Sequence, residues 1–262
     1  MRSRGRAAGG GRTGGRRQPV RFRAVARRLV LWDIDGTLVH TKGAGADAFD
    51  LALADVLGEV PEGRVRMSGK TDPLIVHEQL ALLGREPEPE LVDAVLARLV
   101  HRLADLSSRI AEQGVACPGV TEVLAELDRR ADVAQGVLTG NLRPNAVVKL
   151  AAFGLDRFVD FDLGAYGSDH LDRNLLVPLA RRRAEARLGG PVAAEDTWVV
   201  GDTPLDLACA RAGGVRCLLV ATGTYGADEL VELEPDAFLV DLTDTDAVVE
   251  LLAEDRPPVN VP

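Results

Sequence analysis

Two carboxylates, Asp33 and Asp35, stand one residue apart at the end of the apolar run Leu29-Val30-Leu31-Trp32. On an extended strand alternate residues face the same side, so these charges would repel at short range. A divalent cation would relieve the repulsion. So would a reaction in which one carboxylate attacks as a nucleophile while the other, its pKa raised, donates a proton. Gly36 and Thr37 follow, allowing a sharp turn that leaves backbone N–H groups free for an anion. An ordinary Asx turn would account for the same residues without any chemistry.

Two later segments repeat the theme. "VAQGVLTGN" ends in Thr139-Gly140-Asn141, ahead of a helical pattern with Pro144 near its start. A hydroxyl and turn amides at a strand's carboxyl end suit a phosphate oxygen, although an ST turn or N-cap would use Thr139 equally well. "TWVVGDTPLD" ends a β-rich run at Gly201-Asp202, where Asp202 is a hard oxygen ligand suited to Mg2+. Asp206 follows in a capping box, with Thr203 at the N-cap and Pro204 at N1. It can cap the helix and steady a metal shell at once.

The elements that must position these residues follow from periodicity. Short apolar runs at 29–33, 133–138, 159–163, 197–201, 216–220 and 237–240 alternate with helical patterns. That alternation predicts an α/β fold, a Rossmann-like doubly wound parallel sheet, with its site at the carboxyl ends of the strands. The gap between the first two runs is too long for one crossover. It holds helical patterns near 45–57, 73–83 and 89–112, punctuated by glycines, and predicts an inserted helical cap over 42–114. The α/β core then comprises 29–41 and 115–256, preceded by a basic tail, 1–28.

The 262 residues, 46% of them hydrophobic, can bury a substantial core. Residues 1–28 carry ten arginines and no acid, so the whole-chain charge of −9 leaves −19 on the remainder. Such an acidic body excludes a nucleic-acid-binding main domain, leaving only the Gly/Arg-rich tail as a conceivable RNA contact. No apolar run approaches a membrane span. Three cysteines without metal-type spacing suit reduced thiols and a cytoplasmic protein. The four histidines show no ligand spacing.

The ordered set D-x-D-G-T-L, a hydrophobic strand ending in Thr-Gly-Asn, and G-D-T-P-x-D resembles the haloacid dehalogenase-like hydrolase superfamily. The 42–114 insertion resembles the helical cap of its phosphoglycolate phosphatase-like members. The resemblance spans 29–256 and implies a Mg2+-dependent phosphatase acting on a small phosphorylated metabolite. It implies that Asp33 takes the phosphoryl group as an aspartyl phosphate and that Asp35 is the general acid/base. It further implies that Asp33, the Asp35 carbonyl and Asp202 hold Mg2+ with Asp206 in support, and that the Thr139 hydroxyl binds the phosphoryl oxygens, where the turns at Gly36, Gly140 and Asn141 are expected to add their amides. A phosphosugar mutase, a phosphonate hydrolase and a catalytically weak phospho-ligand-binding protein use the same frame.

The pattern breaks at one point. The superfamily usually has a lysine beside the phosphate, and the three lysines here, at 42, 70 and 149, stand elsewhere. Arg173, at the start of a helix whose Leu175, Leu176, Leu179 and Leu188 would pack inward, is the best cationic substitute. Lys149 is expected to face away, on the surface. Lys70, in the cap, is a candidate for reading the substrate.

Overall fold

The computed structural model describes residues 26–254. In chain order these comprise β1 (Arg28–Trp32), β2 (Val39–His40), α1 (Ala44–Leu57), α2 (Asp72–Leu82), α3 (Pro89–Asp105), α4 (Ser107–Gln113) and β3 (Val115–Ala116). There follow α5 (Val120–Arg129), β4 (Val133–Thr139), α6 (Arg143–Ala151), β5 (Ala165–Tyr166), α7 (Leu176–Leu188), β6 (Thr197–Gly201) and α8 (Pro204–Gly213). The chain closes with β7 (Arg216–Val220), α9 (Ala227–Val231), β8 (Ala237–Leu239) and α10 (Thr245–Ala253).

The main sheet is parallel, in the order β5-β4-β1-β6-β7-β8. β1 lies at its centre, and all five of its residues are buried. A strand covered on both faces by helices must be apolar throughout, which is why this run does not alternate with polar residues. Val30 and Trp32 enter one core with α5, α6 and α10, while Leu29 and Leu31 enter the other with α7 and α8. From β1 the chain builds outward through β4 and β5, then crosses to β6, β7 and β8 on the other side. The order reverses at β1, and doubly wound sheets open a crevice at such a switch.

Between β2 and β3, helices α1 to α4 gather a third core around Phe49, Leu53, Val76, Leu80, Val95 and Leu99. The expected single helix over 89–112 is interrupted at Leu106, whose N–H is shared between the carbonyls of Arg102 and Leu103. The run 159–163 is not a strand. The Asp160 side chain accepts from the Asp162 N–H at 2.9 Å and bends the chain, deferring pairing to Ala165 and Tyr166.

Residues 1–25 of the expected tail lie outside the described residues. Its last residues do not belong to a tail: Ala26 is buried and Arg28 opens β1. All three cysteines are buried free thiols. No helix among the described residues is long and apolar enough to cross a membrane.

Candidate active site

Three neighbouring parallel strands end at the crevice. Asp33 follows β1, its N–H bonded to the Val200 carbonyl of β6 at 2.9 Å; Thr139 is the last residue of β4; Asp202 follows β6. Each carboxyl end thus delivers one of the predicted polar residues to one cavity of about 320 Å3. Asp35, Gly36, Gly140, Asn141, Arg173 and Lys70 line it too. Asp206 stands just behind, wholly buried.

Carboxylate oxygens of Asp33, Asp202 and Asp206 all lie within 4.8 Å of one another, and each residue is buried. Burial above all, then the neighbouring carboxylates, raises the Asp33 pKa to about 6, against the pull of Arg173. The same causes raise Asp202 to about 8, opposed by a 2.9 Å bond from the Thr37 hydroxyl and by Arg173. Gly36 holds a left-handed φ of 87°, and a Cβ there would stand 2.5 Å from Asp202 Oδ2. Glycine is needed for both the turn and the approach.

Arg173 is buried among these acids. Its Nη2 lies 3.2 Å from Asp33 Oδ1 and bonds Asp206 Oδ1, while Nη1 donates to the Gly69 carbonyl at 3.0 Å. It sits on a short 3-10 turn ahead of α7 rather than in an α-helix, and Leu175, expected to pack inward, is exposed. The Asn174 N–H donates to Asp172 Oδ1 at 2.9 Å, capping this tight first turn, on which Leu175 faces solvent. Asp206 is spoken for: its second oxygen accepts from both the N–H and the hydroxyl of Thr203, completing the capping box.

Asp35 occupies the open side of the cavity, its side chain 45% exposed. Here the structure overturns the expectation for Lys149, which is buried. Its ammonium donates to Asp35 Oδ2 and to Asn141 Oδ1, both at 2.6 Å. Asn141 in turn donates to Asp35 Oδ2 at 2.7 Å and to Thr139 Oγ1 at 2.8 Å. The two adjacent acids therefore do not rely on one cation. Arg173 neutralises Asp33 from below and Lys149 holds Asp35 from the side.

Only the register of α6 after its entry turn brings Lys149 inward. Within α6, Asn145 and Lys149 stand four residues apart on one buried face, and Asn141 sits in the bend just before the helix. Asp72 was missed outright. It starts α2, is buried, and accepts from the Leu142 N–H at 2.8 Å and Asn145 Nδ2 at 3.3 Å. Its own N–H donates to the Gly140 carbonyl at 2.7 Å, clamping the 69–72 strap against the phosphate-type turn. A Cβ on residue 140 would meet the Lys70 carbonyl at 2.0 Å, so Gly140 permits that approach. Lys70 lines the cavity with its ammonium paired to Glu78 at 2.6 and 2.7 Å.

Counting formal charges, the buried acids Asp33, Asp202 and Asp206 outweigh the one guanidinium by two. A divalent cation on hard oxygens matches that deficit, and Asp33 and Asp202 have the freer carboxylates to hold it.

Comparison with known proteins agrees with this arrangement. The family model of haloacid dehalogenase-like hydrolases matches residues 30–211. A phosphoglycolate phosphatase of Rhodospirillum rubrum is 32% identical over 209 residues, 79% of this chain and 84% of that protein. A probable phosphatase, IndB, of Dickeya dadantii is 31% identical over 218 residues, covering 80% and 88%. Among solved structures, CbbY from Rhodobacter sphaeroides in complex with phosphate superposes with a TM-score of 0.61 at 23% identity, covering 83% of this chain and 95% of that one. The chain belongs to the haloacid dehalogenase-like hydrolase family.

Proposed function

We propose that the protein is a Mg2+-dependent phosphatase that hydrolyses a small phosphorylated metabolite through an aspartyl phosphate on Asp33. The observation that carries this reading is the division of labour between the two neighbouring acids. Asp33 is buried against Arg173 at the strand end, and Asp35 stands on the solvent side of the same cavity. The phosphatase names borne by the relatives above support the same class of reaction.

In this mechanism a carboxylate oxygen of Asp33 attacks phosphorus as the bond to the leaving oxygen breaks. Asp35 gives its proton to that oxygen, and the alcohol departs. Asp35 then takes a proton from a water molecule that attacks the phosphorus, breaking the acyl phosphate bond and restoring Asp33. The Thr139 hydroxyl accepts from Asn141, which leaves its own hydrogen to donate to a phosphoryl oxygen. Gly140 supplies a turn amide nearby, and Arg173 supplies the charge usually given by lysine. The Gly36 N–H is bonded to the Val39 carbonyl at 3.0 Å and the Asn141 N–H to Thr139 Oγ1 at 3.3 Å, so Gly36 and Asn141 shape the turns. Mg2+, held by Asp33, the Asp35 carbonyl and Asp202 with Asp206 behind, would neutralise the clustered charge and orient the phosphoryl group. In this reading 42–114 is a cap over the site, Lys70 reads part of the substrate, and the protein works in the cytoplasm.

Phosphate release from a panel of phosphorylated metabolites, with and without Mg2+, tests the proposal. Release that needs Mg2+ and vanishes in Asp33→Asn is expected. Release unaffected by that substitution would end the reading.

A further inference from the structure

Between α1 and α2, residues 66–71 form neither helix nor strand, yet with Asp72 they cross the loops that follow β4, β5, β6 and β7. At the inner end the Asp72 N–H donates to the Gly140 carbonyl after β4, at 2.7 Å. In the middle Gly69 lies against the start of α8. It holds a left-handed φ of 74°, and a Cβ there would stand 2.6 Å from Thr203 Oγ1. At the outer end the hydroxyls of Ser68 and Thr224 bond at 3.2 Å, and the Arg66 guanidinium lies 4.4 Å from the centre of the Tyr225 ring. The strap has no backbone ladder of its own, so these contacts set its position.

The contact to the loop after β5 differs in kind, because it leads to Asp33. Arg173 Nη1 donates to the Gly69 carbonyl at 3.0 Å, while Nη2 lies 3.2 Å from Asp33 Oδ1 and bonds Asp206 Oδ1. Asp206 is itself held by Thr203, so the fork is anchored to the start of α8. Charge beside Asp33 needs only one cation, and a lysine would supply it from a single nitrogen. Serving two carboxylates from one nitrogen and a strap carbonyl from another needs a planar fork. Lifting the strap would leave Nη1 without its acceptor at a site where Arg173 is only 7% exposed.

We propose that Arg173 latches the strap 66–72 to the core, so that seating the strap and setting Asp33 are one event, and that Arg66 is a positioning residue acting on Asp33 through that latch. The inference rests on the phosphatase reading for what Asp33 does, but the latch itself does not. Lysine in place of Arg173 would keep the charge and lose the latch, its ammonium staying with the two carboxylates as the stronger partners.

Amide hydrogen exchange of the full chain, read by mass spectrometry, tests the latch, with α3 as the internal reference. In Arg173→Lys the peptide over 66–72 is expected to exchange about tenfold faster or more than in the wild type, the effect of one charge-assisted hydrogen bond, with α3 unchanged. Arg66→Leu, at an exposed site where folding is not at stake, should speed that exchange by about two- to fivefold. Arg66→Lys, which keeps a cation over the Tyr225 ring, should restore it. Hydrolysis of 4-nitrophenyl phosphate with Mg2+ then reads the link to Asp33. There kcat should fall in Arg173→Lys and in Arg66→Leu and recover in Arg66→Lys, with KM little changed. Unchanged exchange at 66–72 in Arg173→Lys, or wild-type kcat in either loosened variant, would overturn the proposal. Should Arg173→Lys not fold, Arg66→Leu decides by the same two readouts. A wild-type protein without turnover would refute the phosphatase, and the exchange rates alone would then stand for or against the latch.

Discussion

Asp33 and Asp35 come from one short motif yet occupy opposite environments. Asp33 is buried among like charges and carries a raised pKa, with Arg173 as its cation. Asp35 is half open to solvent and held by Lys149 and Asn141. One carboxylate is placed where a positive charge must arrive, the other where a proton can be exchanged with a ligand or with water. The difference teaches that the turn just beyond a strand end can separate two chemical roles without separating the residues in sequence.

Substitutions test that contrast, beginning with the largest effect. Asp33→Asn should lower kcat by about 10^4-fold or more, as expected when a nucleophile is removed. Asp35→Asn should lower it by about 10^2- to 10^4-fold, the range for a lost general acid. Steady-state phosphate release measures both. The two variants should also move thermal stability in opposite directions when Mg2+ is absent. Asp33→Asn removes a charge from an over-acidic cluster and should raise the melting temperature, whereas Asp35→Asn strips the buried Lys149 of its carboxylate partner and should lower it. Melting temperatures moving together would break the comparison.

Smaller still is a pH effect at Asp72. Burial raises its pKa from 3.8 to about 6, against the pull of Lys149 and of the bond from the Leu142 N–H. A carboxyl that binds its proton more tightly in the folded state stabilises the fold below the unfolded pKa, and that contribution is lost as pH rises through about 6. The stability of wild type relative to Asp72→Asn, which keeps the acceptor oxygen, should therefore fall by up to about 3 kcal/mol between acid and neutral pH. Urea unfolding across that range checks it, and a flat difference would show that Asp72 does not titrate there.

The doubly wound sheet was legible because a buried parallel strand is apolar over most of its length, and β1, β4, β6 and β7 are, their polar residues falling chiefly at the strand ends. The polar residues closing β1, β4 and β6 stood out because nothing in a core requires them. Lys149 was not legible as a site residue, since judging its face from Thr139 ignored the turn through Asn141 that resets the direction of α6. Asp72 looked like a helix-start acid, and only the fold brings α2 against α6. The run 159–163 has strand-like composition, and the side chain of Asp160 turns it aside. For Lys149 and Asp72 the missing information lay in contacts between segments distant in sequence, and for 159–163 in a local turn.

The central claim is that Asp33 carries the phosphoryl group. Quenching turnover with borohydride reduces an acyl phosphate to the alcohol, and peptide mass spectrometry then locates the residue. The account predicts homoserine at position 33, formed only with substrate and Mg2+ and missing in Asp33→Asn. Sustained turnover with Asp33 unmodified after reduction, or with reduction at another carboxylate, would contradict it.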